Sequence, residues 1–150
     1  MSNAFVPIGS QFQVGDQHSA ETFTALAEVN RISGFGWTRS LVDVTSLDSV
    51  GGYKEWLPTF RDGEVITVDC NYTASNWDKI NNIFETEDEY TDLLEYRIVL
   101  KAGATVKYTW EFLGIIQSIK LGDIDSNGKQ SLQFQVKITG APLEDSGATG

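Results

Sequence analysis

Asp123-Ile-Asp125-Ser-Asn127-Gly128 places oxygen-bearing side chains at the first, third and fifth positions of a segment whose sixth residue is glycine. That spacing matches the opening of a calcium-binding loop. The twelfth position would be Phe134, where calcium needs a bidentate glutamate. Strand-like runs flank the segment, not helices. It reads better as a hairpin turn in which Asn127-Gly128 supplies the positive φ angles of a type I′ turn. Cys70 is the single cysteine, which excludes an internal disulfide and a cysteine-based zinc site. Its place in an alternating run reads as a buried structural thiol. The single histidine, His18, lies in a Gly/Asp/Ser loop and is expected to be exposed. A hydrolytic triad would need a nucleophile and an orienting acid that nothing in the spacing supplies. Carboxylate pairs could be drawn from the 21 acidic residues, but any acidic chain offers as many. Gly34-Phe35-Gly36 lacks the rest of a dinucleotide fingerprint and reads as a turn. No catalytic, cofactor or metal site is expected, and the chain is not read as an enzyme.

Composition narrows the partners. The 150 residues suit one domain with a sizeable core, at 41% apolar and 21% charged. Formal net charge is -10, with no cluster of Lys and Arg, so counterion-driven capture of nucleic acid is not expected. No run of about 18 apolar residues is present, and no membrane helix is expected. The opening MSNAFVPIGSQF lacks a basic start and an apolar stretch, so no secretory signal is expected. The sequon Asn71-Tyr72-Thr73 is discounted on the same ground.

Several runs alternate with period two, the mark of half-buried strands. In 64–72, Ile66, Val68, Cys70 and Tyr72 share a face opposite Val65, Thr67, Asp69 and Asn71. In 95–100, Tyr96, Ile98 and Leu100 oppose Glu95, Arg97 and Val99; Leu132, Phe134, Val136 and Ile138 share a face in 131–139. In 106–121 the apolar positions are even up to Phe112 and odd from Ile115 on, which places a bulge or bend at Gly114. A short strand is expected at 11–14. The run 23–32 is read as a strand paired with 37–44, although Phe23, Leu26 and Ala27 also fit helical spacing. One helix is expected around Trp77, Ile80, Ile83 and Phe84, capped by Ser75 or Asn76 and ending at 84–86. The acidic stretch 85–89 that follows is expected to be a solvated turn, because carboxylates oppose the dipole at a helix C-terminus. Together these indicate a mainly β (α+β) domain, a sandwich or barrel with one flanking helix, over 1–140. The last residues, 141–150, are expected to form a flexible tail.

One stretch fits none of this. Ser46–Asp62 is longer than the roughly 12–15 residues usual for a structureless connection, yet it carries Tyr53, Trp56, Leu57 and Phe60. Either its aromatics fold back over the domain's own core, or they reach a neighbouring chain, since aromatic and Arg side chains favour interface centres. The residues alone leave both readings open.

Three collinear segments carry a resemblance: Gly9-Ser-Gln-Phe-Gln-Val-Gly-Asp16, the run ETFTALAEVNRISG from Glu21 to Gly34, and Val42-Asp-Val-Thr-Ser-Leu-Asp-Ser49 followed by Tyr53, Glu55, Pro58 and Arg61-Asp-Gly-Glu-Val65. With these the chain resembles the major tail tube proteins of long-tailed, lambda-like bacteriophages. Beyond Tyr72 the likeness is one of pattern. Departures fall in and just after the long connection: Glu64 stands where the family has a second glycine, Thr59 replaces a small turn residue, Trp56 replaces Phe, and Gly51-Gly52 adds slack. The resemblance implies a β-sandwich protomer with a flanking helix and a long extended loop. It implies six protomers per ring and rings stacked into a tube through which double-stranded DNA passes without specific binding. It further implies partners in the tail tip, tape measure and tail terminator proteins, assembly in the host cytoplasm and residence in the virion tail. On that footing Tyr53, Trp56, Leu57, Phe60 and Arg61 are expected at a subunit interface. Asp69 and Asn71 are expected to face the lumen, where an acidic wall would repel a polyanion; acidity for solubility is the other reading. Two rival functions are a carbohydrate- or surface-binding module using Trp37, Tyr53 or Trp56, and a terminator or secretion-tube ring.

Overall fold

The computed structural model describes residues 4–18, 22–47, 50–126 and 128–147. The strands are β1 (Gln11–Gly15), β2 (Phe23–Ala25), β3 (Val29–Ser33), β4 (Trp37–Asp43), β5 (Trp56–Gly63), β6 (Val65–Asn71), β7 (Leu94–Ala102), β8 (Thr105–Leu121) and β9 (Ser131–Gly147), with one helix, α1 (Ala74–Thr86). Seven strands form one antiparallel sheet in the order β2-β1-β7-β8-β9-β6-β3. The sheet curls so that β1 and β3, from opposite sides, approach each other. Ile80 and Ile83 of α1 pack into the enclosed core. This is the expected mainly β, barrel-like domain with one flanking helix. Among the described residues, no helix is long and apolar enough to cross a membrane.

The strand periodicities place the core as read. Phe12 and Val14, Ile66, Val68 and Cys70, Tyr96 and Ile98, Phe112, and Leu132, Phe134, Val136 and Ile138 are all buried on one side of the sheet. Phe12 sets its ring 5.7 Å from both Tyr96 and Phe134. Cys70 is a buried free thiol, and burial raises its pKa.

Four expectations about the strands and the helix cap are corrected. First, 23–32 is two strands, and they lie at opposite sides of the sheet. Leu26 turns into the core between them, and Glu28 takes a positive φ of 55°, which breaks the run. β3 then pairs with β6, and β4 pairs with β5. Second, the phase change in β8 falls after Ile116, not at Gly114. Ile116 opposes Val136 and Ser118 opposes Gln135, so two residues face one. Gly114 keeps the phase; it is there because a Cβ would come within 2.5 Å of Val136 and 3.1 Å of the Tyr96 ring. Third, the helix cap is Thr73, whose Oγ1 accepts from the Asn76 N–H at 3.1 Å. Asn76 is instead buried and donates Nδ2 to the Ala27 carbonyl at 2.9 Å, tying α1 to the β2–β3 connection. Phe84 lies on the exposed side of the helix. Fourth, β9 does not stop at Thr139. After a detour that begins at Gly140, with φ of 77°, it pairs again with β8, Glu144 to Gly147 opposing Glu111 to Tyr108.

The acidic exit of α1 is not wholly solvated either. β7 begins at Leu94, opposite Gly114, so Ile116 lies beyond that pairing, and Glu87 accepts its N–H through Oε2 at 2.8 Å. Burial raises the Glu87 pKa against the lowering effect of that hydrogen bond. The neighbouring Tyr96 hydroxyl is buried without a partner of good geometry, and burial followed by the Glu87 charge raises its pKa well above the ordinary phenol value. His18 is half-buried rather than exposed: Nδ1 lies 2.9 Å from the Leu93 carbonyl, and its ring meets Tyr90 edge-on. That contact holds the chain after β1 against the start of β7.

Candidate subunit interface

β4 and β5 form a two-stranded antiparallel arm that stands apart from the main sheet. Its connection, 44–55, contains a short 3-10 turn at Val50–Gly52. The stretch read as one loop therefore folds in its second half. Trp56, Leu57, Phe60 and Arg61 lie on β5, and only Tyr53 lies in the connection. Asp48 and Ser49 fall outside the described residues. Near the tip, Glu55 N–H donates to the Thr45 hydroxyl at 2.7 Å and Thr45 N–H to the Asp43 carboxylate at 2.9 Å; the Thr45 hydrogen bonds hold the Asp43 pKa low.

The root of the arm is anchored. Phe35 packs its ring 5.2 Å from Trp37, 5.1 Å from Trp110 and 5.7 Å from Phe112. Gly34, at φ of 81°, passes so close to the Val65 carbonyl oxygen that a Cβ would sit 2.5 Å from it. At the other strand Lys137 Nζ donates to the Asp62 carboxylate at 3.1 Å and to the Gly63 carbonyl. What read as a simple Gly-Phe-Gly turn is the joint that ties the arm to the core.

Beyond the root the arm is exposed on all sides. Tyr53 is 77% exposed, Trp56 50%, Leu57 55% and Phe60 93%. Register sorts these residues. Leu41 faces Pro58 and Asp43 faces Trp56 on one side; Val42 faces Leu57 on the other. A bulge between Arg39 and Leu41 leaves Phe60 pointing into open space, with Thr59 Oγ1 donating to the Ser40 carbonyl at 2.8 Å. Each face carries exposed apolar side chains: Leu41, Pro58 and Trp56 beside Arg39, Arg61 and Asp43 on one, Val42 and Leu57 beside Thr38 and Asp62 on the other. None of these side chains covers the chain's own core, so the fold-back reading of the sequence fails on burial.

The sheet face opposite the core holds the two residues expected at a lumen. Asp69 accepts from Gln133 Nε2 at 2.8 Å. Asn71 accepts from Asn30 at 3.0 Å and donates to Glu28 at 3.3 Å. Gln135 is bound to Ser118 and Thr67 beside them. Arg97 and Glu111 form an ion pair, with Arg97 Nε donating at 3.0 Å. The Arg97 guanidinium also lies 4.1 Å from the Phe23 ring centre. This face mixes Arg31, Arg97, Lys120 and Lys137 with Asp69, Glu95 and Glu111 by register. It is an amide-rich, charge-balanced surface, not an acidic one. The amide ladder was not read from the sequence, although Gln133 and Gln135 alternate with core residues there.

Other motif residues assemble nothing. Among the described residues, no group of three or more His, Cys, Asp or Glu is placed to hold a metal ion. Asp123 and Asp125 are exposed in the β8–β9 connection; Asn127, half of the expected type I′ turn, lies outside the described residues.

No protein-family model and no curated protein matches the chain. Solved structures do. A chain from the tail of an empty GTA particle, refined helically with C6 symmetry, is similar at TM-score 0.69 and 20% identity, covering 93% of this chain and 95% of that one. A chain from the extended sheath–tube complex of an extracellular contractile injection system, PVC, is similar at TM-score 0.71 and 17% identity, over 99% and 95%. The SPP1 tail tube protein is similar at TM-score 0.67 and 9% identity, over 98% and 81%. At such low identity over nearly the whole length, what the chain shares with these tail and tube proteins is the fold: a curled, mainly β domain with one helix.

Proposed function

We propose that this chain is a tail tube subunit of a long-tailed phage or phage-like particle, a structural protein without an active site. The observation that carries the reading is the β4–β5 arm, with large apolar side chains exposed on both faces and uncovered by the described residues of its own chain, on a fold shared with tail and tube proteins. A two-stranded ribbon is marginal in water by itself, so an arm built this way calls for a neighbour to cover it. Tyr53, Trp56, Leu57, Phe60 and Arg61 form that contact, within a ring or with the next ring. Contact between unlike surfaces repeats from copy to copy and closes rings or extends filaments. Six copies per ring follow the C6 symmetry of the GTA tail. The lambda-like family is favoured by the motifs at 9–16, 21–34 and 42–65.

In this reading the amide-rich sheet face, with Asp69 and Asn71, lines the bore. Its charges are balanced and its amides bind one another, so it offers a DNA backbone little to hold. Residence in the virion tail, and contacts with tail tip, tape measure and terminator proteins, follow from the same reading. Negative-stain microscopy of the concentrated protein tests it. Long tubes are expected. Isolated rings would instead indicate a terminator, and a persistent monomer with saturable glycan affinity would indicate a binding module.

A further inference from the structure

Arg39 and Arg61 are direct cross-strand partners on the arm, and both are exposed. Like charges directly opposite one another weaken a strand pair. Neither forms an ion pair among the described residues, where Arg97–Glu111 and Lys137–Asp62 are the ion pairs found. They share a face with Leu41, Pro58, Trp56 and, toward the tip, Asp43, whose carboxylate is taken up by the Thr45 N–H. That face therefore carries two guanidinium forks without an ion-pair partner among the described residues, on a molecule whose net charge is -10.

The same chain carries the complement. No basic residue occurs between Lys79 and Arg97, and Glu85, Asp88, Glu89 and Asp92 are exposed at the exit of α1. Asp92 accepts the Glu89 N–H at 3.0 Å, which fixes this turn. The acids of the β8–β9 connection are a poorer match, because Lys120 and Lys129 flank them. We infer that the Arg39–Arg61 pair of one subunit receives the acidic α1 exit, Glu85–Asp92, of a second copy. Two guanidinium groups side by side suit carboxylates in bidentate geometry. The contact is heterologous, with the pair on one copy and the acids on the next, so it sets the direction in which subunits add. The inference rests on the tube reading and specifies which surface the arm meets.

Charge reversal tests it. Arg39→Glu with Arg61→Glu, and separately Asp88→Arg with Glu89→Arg, should each lower the assembled fraction at least about tenfold in sedimentation, with unchanged circular dichroism. All four changes together should restore assembly. A combined variant that stays unassembled overturns the inference. So does an arm-reversed variant that assembles like the parent while Trp56→Ala does not; the arm interface would then stand without this pairing. Tubes that form normally but lose retention of a DNA duplex would make the pair a phosphate contact and overturn it as well. Where the parent protein assembles too slowly to score, Arg39→Cys and Glu89→Cys chains are mixed under mild oxidation. Cys70 is buried and stays out of the reaction. A disulfide-linked heterodimer is expected, and its absence overturns the pairing.

Discussion

Gly63 ends β5 directly against Ile138: a Cβ on Gly63 would lie 2.5 Å from Ile138 Cβ and 2.9 Å from its carbonyl oxygen. The arm meets the core at this point, and only a residue without a side chain lets β5 cross β9 so closely. Gly63→Ala must push the strands apart or shift Ile138, which is buried. Overpacking of this kind costs about 1–3 kcal/mol. Chemical denaturation should show that loss, and Gly51→Ala is no substitute control because its φ of 70° adds strain of its own. Equal midpoints for Gly63→Ala and the parent would contradict the close approach.

Trp56 and Leu57 point to opposite faces of the arm. Both are exposed in the isolated chain, so Trp56→Ala and Leu57→Ala should each change monomer stability by no more than about 0.5 kcal/mol. Assembly should respond quite differently. A tryptophan at the centre of an interface is worth about 2 kcal/mol or more, so Trp56→Ala should raise the critical concentration for tube formation at least about thirtyfold. Turbidity and microscopy across a concentration series read this directly. A Trp56→Ala protein that assembles at the parent's concentration removes that face from the interface.

The core was readable in the sequence because burial on one side of a sheet imposes period two, and Ile66, Val68, Leu132, Phe134, Val136 and Ile138 obey it strictly. What escaped was set by contacts distant in the chain. Nothing near Glu28 announces that β2 and β3 separate to opposite sides of the sheet, because their partners β1 and β6 are far apart in sequence. The arm was misread for a related reason. Its residues are exposed on both faces, so Trp56 to Phe60 show no alternation to mark a strand. The candidate interface was legible as an excess of aromatics in an unlikely place. The Arg39–Arg61 pairing was not, since it exists only once the bulged register is known.

Glu87 gives the fold a pH dependence of definite sign. Burial raises its folded pKa above 4.5, so folding favours the protonated form. Stability from this group is fully present below the unfolded value and is lost as pH rises through the folded one. At neutral pH the buried charge is a net cost that the Ile116 N–H offsets only in part. Glu87→Gln keeps an oxygen for that N–H and removes the charge. It should stabilise the protein at pH 7, by less than about 1 kcal/mol, and make no difference near pH 4. Urea midpoints at the two pH values measure both arms, and a loss of stability at pH 7 would show that the carboxylate charge is needed there.

Thr73 and Asn76 hold the start of α1 in two different ways. Thr73 caps α1, and Asn76 donates to the Ala27 carbonyl from a buried position. Thr73→Ala removes only the cap and should cost about 1 kcal/mol, while Thr73→Ser should cost much less. Asn76→Ala leaves the Ala27 carbonyl without its partner and opens space beside Cys70, which should cost about 1–3 kcal/mol. It should also release the β2–β3 connection. Hydrogen exchange at Leu26, whose N–H donates to the Phe12 carbonyl at 2.9 Å, should then accelerate in Asn76→Ala but not in Thr73→Ala. Equal protection of Leu26 in the two variants would mean that Asn76 stabilises the helix alone and does not hold the edge of the sheet.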